Sequence, residues 1–320
     1  MSDMPVIKAR KQSIWAVLWK QRYPQVFVLL GMVFLLIFSY SPMVGLLMAF
    51  KNYKITDGYM GIFTSKWVGF RWFIEFFTDY KFSQLLKNTL TISILKQIFT
   101  FPIPLIFAIM LYEAKNKFFK RIVQTASYLP YFISWVVVAG FCMQFLARDG
   151  VINDLFIALH ITNEPLSILT SPEYFYTLAV VSGIWKDMGW WAIIFLAAIV
   201  GVDPALYEAA VIDGAGRLKR IYHIMIPSIL PTLTVVFILA IGNLLGGGLG
   251  GSTFEQSLLL GNPSNNAASD ILQTYSFRIG LSQGRYAFAT AVGLLQSIVS
   301  VLLVFSSNAA AKAITGSGLF

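Results

Sequence analysis

Long apolar runs broken by short charged segments constrain this chain more than any other feature. A helix rises only about 1.5 Å per residue, so crossing a bilayer takes ~20 predominantly apolar residues. Six runs qualify: Gln25 to Phe50, Asn88 to Tyr112, Ile122 to Ala147, Tyr174 to Val200, Ser228 to Leu245 and Phe288 to Ser306. Lipid supplies no hydrogen-bond partners, so chain buried in it must satisfy its own backbone. The expected fold is therefore an all-α integral membrane protein with about six transmembrane helices. Pro42, Pro102, Pro104 and Pro130 fall inside the runs and predict kinks, since proline removes a backbone donor.

Composition supports this and excludes several functions. Of the 320 residues, 57% are hydrophobic and 12% charged, against about 25% charged in soluble domains. The net charge of +9 is open to a nucleic-acid reading. Collection of Lys and Arg in cytoplasmic loops accounts for it without one, and no nucleic-acid partner is expected. Cys142 is the only cysteine, and His160 and His223 the only histidines, so neither an internal disulfide nor a His/Cys metal cluster is available. No Ser-His-Asp set stands out, so the chain is not expected to be an enzyme.

Orientation follows from the cations. With the N-terminus inside, inner segments hold 13 Lys and Arg and outer segments 9, six of these in the long first outer loop. The short loops favour this arrangement, which places both termini in the cytoplasm of a bacterial-type cell membrane. Residues 1–24 form an N-terminal segment. Within it, Ser13 to Tyr23 mixes Trp and Tyr with cations, as either an interfacial helix or a simple juxtamembrane anchor would. Residues 25–306 make the transmembrane domain, and 307–320 a C-terminal tail.

A polar loop at 203–227 separates the fourth and fifth runs. Asp203-Pro204 is a helix start: the carboxylate caps free amides and proline fits the first helical position. Leu206, Ala209 and Ala210 share one side of a short helix, where small side chains let a partner approach closely. Gly214 and Gly216 allow a chain reversal with positive φ. A second short helix, Arg217 to Met225, should stop at Pro227. Glu208 and Asp213 remain as fixed charges on a rigid element.

The order Glu208-Ala209-Ala210, two apolar residues, Asp213-Gly214-Ala215-Gly216, then Ile224-x-x-Pro227, resembles the EAA loop of permease subunits in binding-protein-dependent ABC importers. Trp67-Val68-Gly69-Phe70, Asn88-Thr89-Leu90, Phe50-Lys51-Asn52-Tyr53-Lys54 and the segment from Tyr286 to Leu294 look like the carbohydrate-uptake family, in its polysaccharide or complex-oligosaccharide branch. The glycine-rich run from Gly246 to Gly251 departs from that pattern. The resemblance implies a type I importer permease fold. It implies that Glu208, Ala209, Ala210, Asp213, Gly214, Ala215, Gly216 and Pro227 couple the subunit to an ATPase. It further implies a second homologous permease subunit, two ABC ATPase subunits or domains, an extracytoplasmic solute-binding protein and an oligosaccharide cargo. No GxxxxGK[ST] phosphate loop occurs. No cofactor is therefore expected in this chain, and ATP with Mg belongs to the partners. A non-sugar cargo and an ATP-independent carrier are the competing functions.

Polar and aromatic residues inside the runs are candidates for the pathway. Charges at membrane depth face a cavity or a partner, since lipid exposure costs about 2.5–3.5 kcal/mol at a helix centre. Lys96, Lys186 and Asp187 meet that criterion, and a structural ion pair would explain them too. Trp185, Trp190 and Trp191 offer ring faces to sugars, or simply pack. Asn243 and Gln296 can bind hydroxyls, or link helices.

Overall fold

The computed structural model describes residues 19–246, 248, 249, 251–316, 318 and 319. Among these the secondary structure is helical, with a single isolated antiparallel bridge between Lys51 and Trp67. Of the Ser13 to Tyr23 segment, residues 13–18 lie outside the described residues.

Five helices are long and apolar enough to cross a membrane. They are α1 (Arg22–Phe50), α2 (Phe82–Glu113), α5 (Pro172–Val200), α7 (Arg217–Gly242) and α10 (Tyr286–Thr315). Between α2 and α5, the shorter helices α3 (Lys117–Phe132) and α4 (Trp135–Phe145) occupy the third apolar run. A continuous third span from Ile122 to Ala147 is thus corrected. The run breaks, with 104° between its halves. Proline at 130 removes an amide. The backbone of Ile133 and Ser134 is extended, and the Ser134 hydroxyl accepts from Val137 N at 3.4 Å to cap α4. Apolar composition alone carries no record of such a bend. The 11 residues of α4 extend about 16 Å, half of an apolar bilayer core of about 30 Å.

Boundaries shift elsewhere for local reasons. Pro227 does not stop the second helix of the 203–227 loop. A π-helical turn at Ile221–Met225 precedes it, and the helix continues to Gly242. Wider turns of this kind re-satisfy carbonyls that a proline leaves free. The fifth span therefore begins at Arg217 rather than Ser228. The sixth helix runs past Ser306 to Thr315, where Gly316, at φ 71°, ends it.

Three apolar clusters hold the bundle. Near the 203–227 loop, Ala192, Phe195 and Ile199 of α5 meet Ala108 of α2 and Met225, Ile229 and Leu233 of the α7 span. In the middle, Ile92 of α2 and Phe175, Leu178 and Ala179 of α5 enclose Leu260 and Ile271. Around the start of α10, Phe288 and Ala291 pack on Trp72, Phe76 and Tyr275. The long first loop folds into short helices, Gly61–Thr64 and Arg71–Phe77, anchored where Trp72 Nε1 donates to Lys51 O at 2.8 Å. The α1 helix differs from the rest: Ala49 is its sole buried residue. Lipid or another subunit must cover it.

Gly189 of α5 lets the broken segment pack. A Cβ there would sit 2.0 Å from the Ser127 carbonyl oxygen of α3, whereas one at Gly293 meets nothing within 4 Å. Overpacking costs about 1–3 kcal/mol. Gly189→Ala is expected to lower the melting temperature of the detergent-solubilised protein by several degrees (about 1–3 kcal/mol over a domain-sized entropy), with Gly293→Ala unchanged in the same assay.

Candidate functional site

The break between α3 and α4 creates a polar cleft at the side of α5. Extended backbone at a break leaves carbonyls without helical partners, and in an apolar setting each costs free energy unless it is paired. Lys186 of α5 meets this need, donating from Nζ to Tyr131 O at 2.8 Å. One turn further along α5, Trp190 stacks on the Tyr131 ring at 4.6 Å with planes 6° apart. The Lys186 ammonium also lies 5.1 Å from the Tyr131 ring centre and 5.7 Å from that of Trp135, distances at which a cation is drawn to a ring face.

The cleft encloses about 300 Å³ and is lined by Tyr131, Trp135, Lys186, Asp187, Gly251, Ser252 and Glu255. Its far wall is the start of α8 (Thr253–Leu260). Lys186 and Asp187 are both largely buried, with Nζ to Oδ1 at 4.0 Å, so the ion contact is long and the carbonyl bond is the tighter one. Ser252 Oγ donates toward Asp187 Oδ2 at 3.5 Å. Two aromatic rings, one ammonium, two carboxylates and a hydroxyl thus face one space. Such a set suits a ligand with apolar faces and many hydroxyls. Nothing in it resembles a nucleophile with its activating base.

A larger cavity of about 520 Å³ lies on the other side of α8, beside α9 (Leu272–Ser282). Lys81, Asn262, Asn266, Asp270 and Arg278 are among its lining residues. There Arg278 Nη2 donates to the buried Asp270 Oδ2 at 2.6 Å, which ties up both charges.

The structure distributes the other pathway candidates. Trp185 is 47% exposed and lines an apolar groove with Phe141, Cys142 and Phe145, away from the cleft. Trp191 is half-buried and packs into the cluster around Phe195. Asn243 folds the glycine run: its Nδ2 donates to Gly248 O at 3.0 Å, and its own carbonyl accepts from Gly246 and Gly248 amides. Gln296 of α10 has its Nε2 buried with no hydrogen-bond partner among the described residues. Lys186 and Asp187 alone among the eight candidates line the cleft. Tyr131, Trp135, Ser252 and Glu255 escaped the sequence reading, because no sequence signal ties a proline break to a loop 120 residues later.

The 203–227 loop is built as its residues dictate. Asp203 Oδ1 accepts from Ala205 N at 2.9 Å and starts α6 (Pro204–Ile212). At its other end Gly214 N donates to Val211 O at 3.0 Å and Ala215 N to Ala210 O at 2.8 Å. That pair of bonds is a Schellman cap, which requires a left-handed residue, and Gly214 supplies it at φ 74°. Gly216 does not: its φ is −66° and it stands just before α7. Tyr207 pins the loop to the bundle, its ring 6.1 Å from Tyr112. Burial, with Tyr112 and Glu113 beside it, pushes the Tyr207 phenol above its ordinary value. Outward, Leu206, Val211, Ile212 and Leu218 are exposed, Ile212 at 86%, and Glu208 and Asp213 are exposed among them. Pro227 sits inside the continuous helix, just after the π-helical turn.

Residues 100–315 match the family model described as "Binding-protein-dependent transport system inner membrane component". This chain belongs to that family. The membership makes it a multi-pass cell-membrane component of a binding-protein-dependent importer that works with other subunits. Across the family's relatives it is 42% identical to Protein LplB of Bacillus subtilis (strain 168), over 99% of this chain and 98% of that one. It is 38% identical to the polygalacturonan/rhamnogalacturonan transport system permease protein YteP of the same organism, over 98% and 95%. Among solved structures it resembles a chain of a bacterial alginate ABC transporter crystallised with its alginate pentasaccharide-bound periplasmic protein. That match has a TM-score of 0.85, 36% identity, and coverage of 96% of this chain and 100% of that one. The fold is therefore that of a type I ABC importer permease.

The two loop glycines give a contrast that a family member should obey. Placing a side chain at a left-handed position costs about 1–2 kcal/mol. Gly214→Ala is expected to speed hydrogen exchange at the Ala215 amide by roughly tenfold, the factor that about 1.4 kcal/mol represents. Gly216→Ala, with open space around it, is expected to leave exchange there unchanged.

Proposed function

We propose that the chain is the permease subunit of an importer for oligosaccharides or polysaccharide fragments, moving them inward by alternating access. The observation that carries this reading is the cleft at the α3–α4 break. Its Tyr131 and Trp135 rings can lie against the apolar faces of a pyranose, while Lys186, Asp187, Ser252 and Glu255 take hydroxyls. The substrates named for YteP and for the alginate transporter are polysaccharides, and the same class suits this cleft. Few protein groups at such sites need to be polar, provided they are well placed.

ATP hydrolysis, with its Mg ion, belongs to two separate ATPase subunits or domains, and this chain has no catalytic residue of its own. The α6 helix with its exposed Leu206, Val211, Ile212 and Leu218 docks on them. Glu208, Ala209, Ala210, Asp213, Gly214, Ala215, Gly216 and Pro227 form or shape that lever, and both termini lie on its cytoplasmic side. Small alanines let the partner surface come close, and the capped turn makes the element stiff enough to transmit a push. A second, related permease subunit completes the pathway as a heterodimer. The uncovered length of α1 supports a further subunit beside it. A solute-binding protein delivers the sugar from outside.

Two variants test the lever. Charge reversal at Glu208 to Lys, and Gly214→Pro, which forces φ near −65°, are both expected to leave membrane insertion intact. Sugar uptake should fall by at least about tenfold while ATP is still hydrolysed, a loss of roughly 1.4 kcal/mol of coupling. Uptake of labelled oligosaccharide per ATP consumed is the measurement, and normal ratios in both variants remove the case. Trp135→Ala is expected to raise the half-saturating sugar concentration by about tenfold, within the 1–3 kcal/mol that stacking contributes in other ring–ring systems. Uptake that persists without any ATPase partner would instead establish an independent carrier.

A further inference from the structure

Lys96 of α2 is fully buried, sits outside the cleft lining, and has no part in the reading above. Its ammonium makes three hydrogen bonds, and all three go to one short stretch of chain. Nζ donates to Ser252 Oγ at 3.3 Å, Thr253 Oγ1 at 3.2 Å and Gln256 Oε1 at 2.8 Å. These acceptors are the approach and first turn of α8. Gln256 then donates from Nε2 to Ala179 O at 2.8 Å and Ser182 Oγ at 3.0 Å on α5. The first turn of α8 is thus wedged between α2 and α5 by one lysine and one glutamine.

The neighbouring contacts sharpen this. Gln97, next along α2, has both amide atoms buried without hydrogen-bond partners. Among the described residues, Lys96 is therefore the hydrogen-bond link between α2 and residues 251–256. Gly183 of α5 makes room for it: a Cβ there would lie 3.1 Å from Lys96 Cε. The chain leading into α8 turns at Gly248 and Gly251, both in the left-handed region.

Stability is a weak reason for such a residue. A buried ammonium loses several kcal/mol of hydration, and its direct acceptors here are neutral. It also stands at the N-terminal end of a helix, where the backbone dipole disfavours a cation. An apolar side chain of the same length would fill the space but leave Gln256 Oε1 without its donor. What the lysine adds is a direction: three donors on one atom set the position of Ser252 and its neighbours to within a hydrogen bond's tolerance.

We propose that Lys96 is the positioning residue of the sugar cleft, holding Ser252 and Glu255 of the α8 wall opposite Lys186 and Trp135. This rests on the oligosaccharide reading of that cleft. Lys96 itself touches no substrate.

The test uses the complete importer, with its partner subunits and binding protein, in proteoliposomes. The probes are fluorescently labelled tetrasaccharides of galacturonan, rhamnogalacturonan, alginate and a neutral glucan, and the one taken up fastest by the unaltered complex is carried forward. Lys96→Met keeps the length and removes the donors. It is expected to raise the half-saturating concentration of loaded binding protein about tenfold, while the maximal rate and the basal ATPase rate stay within about twofold. Thr253→Val removes one acceptor at nearly constant volume and is expected to move half-saturation about threefold in the same direction. If the methionine variant fails to co-purify with its partners, the valine variant decides alone. An assembled variant whose maximal rate falls with half-saturation unchanged overturns the proposal, since a merely structural lysine would behave that way. Unchanged kinetics in an assembled variant overturn it as well. Failure of the unaltered complex to take up any of the four sugars counts against the oligosaccharide reading instead, and is visible before any variant is made.

Discussion

A helix that breaks inside a bilayer exposes backbone groups that lipid cannot satisfy, and the centre of this molecule is organised around one such break. The freed carbonyl of Tyr131 is taken up by Lys186, and the Tyr131 ring is held by Trp190 one turn along the same helix. An irregular backbone is tolerated at membrane depth where it is buried in protein or lines a cavity. Here it does both, since the repair that satisfies the carbonyl also opens the cleft beside it. Lys186 therefore combines two tasks that sequence inspection treats as alternatives, a structural contact and a place on a polar wall.

The polar interior extends from this break in one connected set. Asp187 reaches Ser252, Ser252 reaches Lys96, and Gln256 reaches both Lys96 and α5. Networks of this kind rigidify when every member is paired. The apolar clusters around it bring α2, α5 and α7 together without direction, because apolar burial is non-directional. The hydrogen bonds choose which arrangement of those helices is occupied. For the proposed alternating access, these directional contacts are what would define one end state of the bundle.

The 203–227 loop shows the opposite design. Its geometry is local: a carboxylate cap, nine helical residues, and a glycine cap. Its apolar residues point away from the bundle and are held out by Tyr207 against Tyr112. In a family whose members work as parts of an importer, this exposed, capped and apolar element is the surface proposed to meet another chain. The continuous helix from Arg217 through Pro227 to Gly242 then joins the lever to the membrane core without a flexible joint.

Some of this was determined by sequence alone. The number of apolar runs, the N-cap at Asp203, the left-handed turn at Gly214 and the family resemblance all depend on residues within a few positions of each other, and local chemistry suffices to read them. Pro130 predicted a kink in the third run, but a full break at Ile133 and Ser134, with 104° between its halves, was not legible. Gly216 was expected to share the reversal, yet one left-handed residue completes the cap and the second is free to start the next helix. The proline at 227 was expected to end a helix that a π-helical turn instead carries past it. Tertiary structure alone decided the cleft and the seating of α8, since they bring positions 96, 131, 186 and 252 together from four separate elements. Contacts between residues so far apart in the chain depend on how whole helices pack, and no local pattern in the sequence encodes that packing.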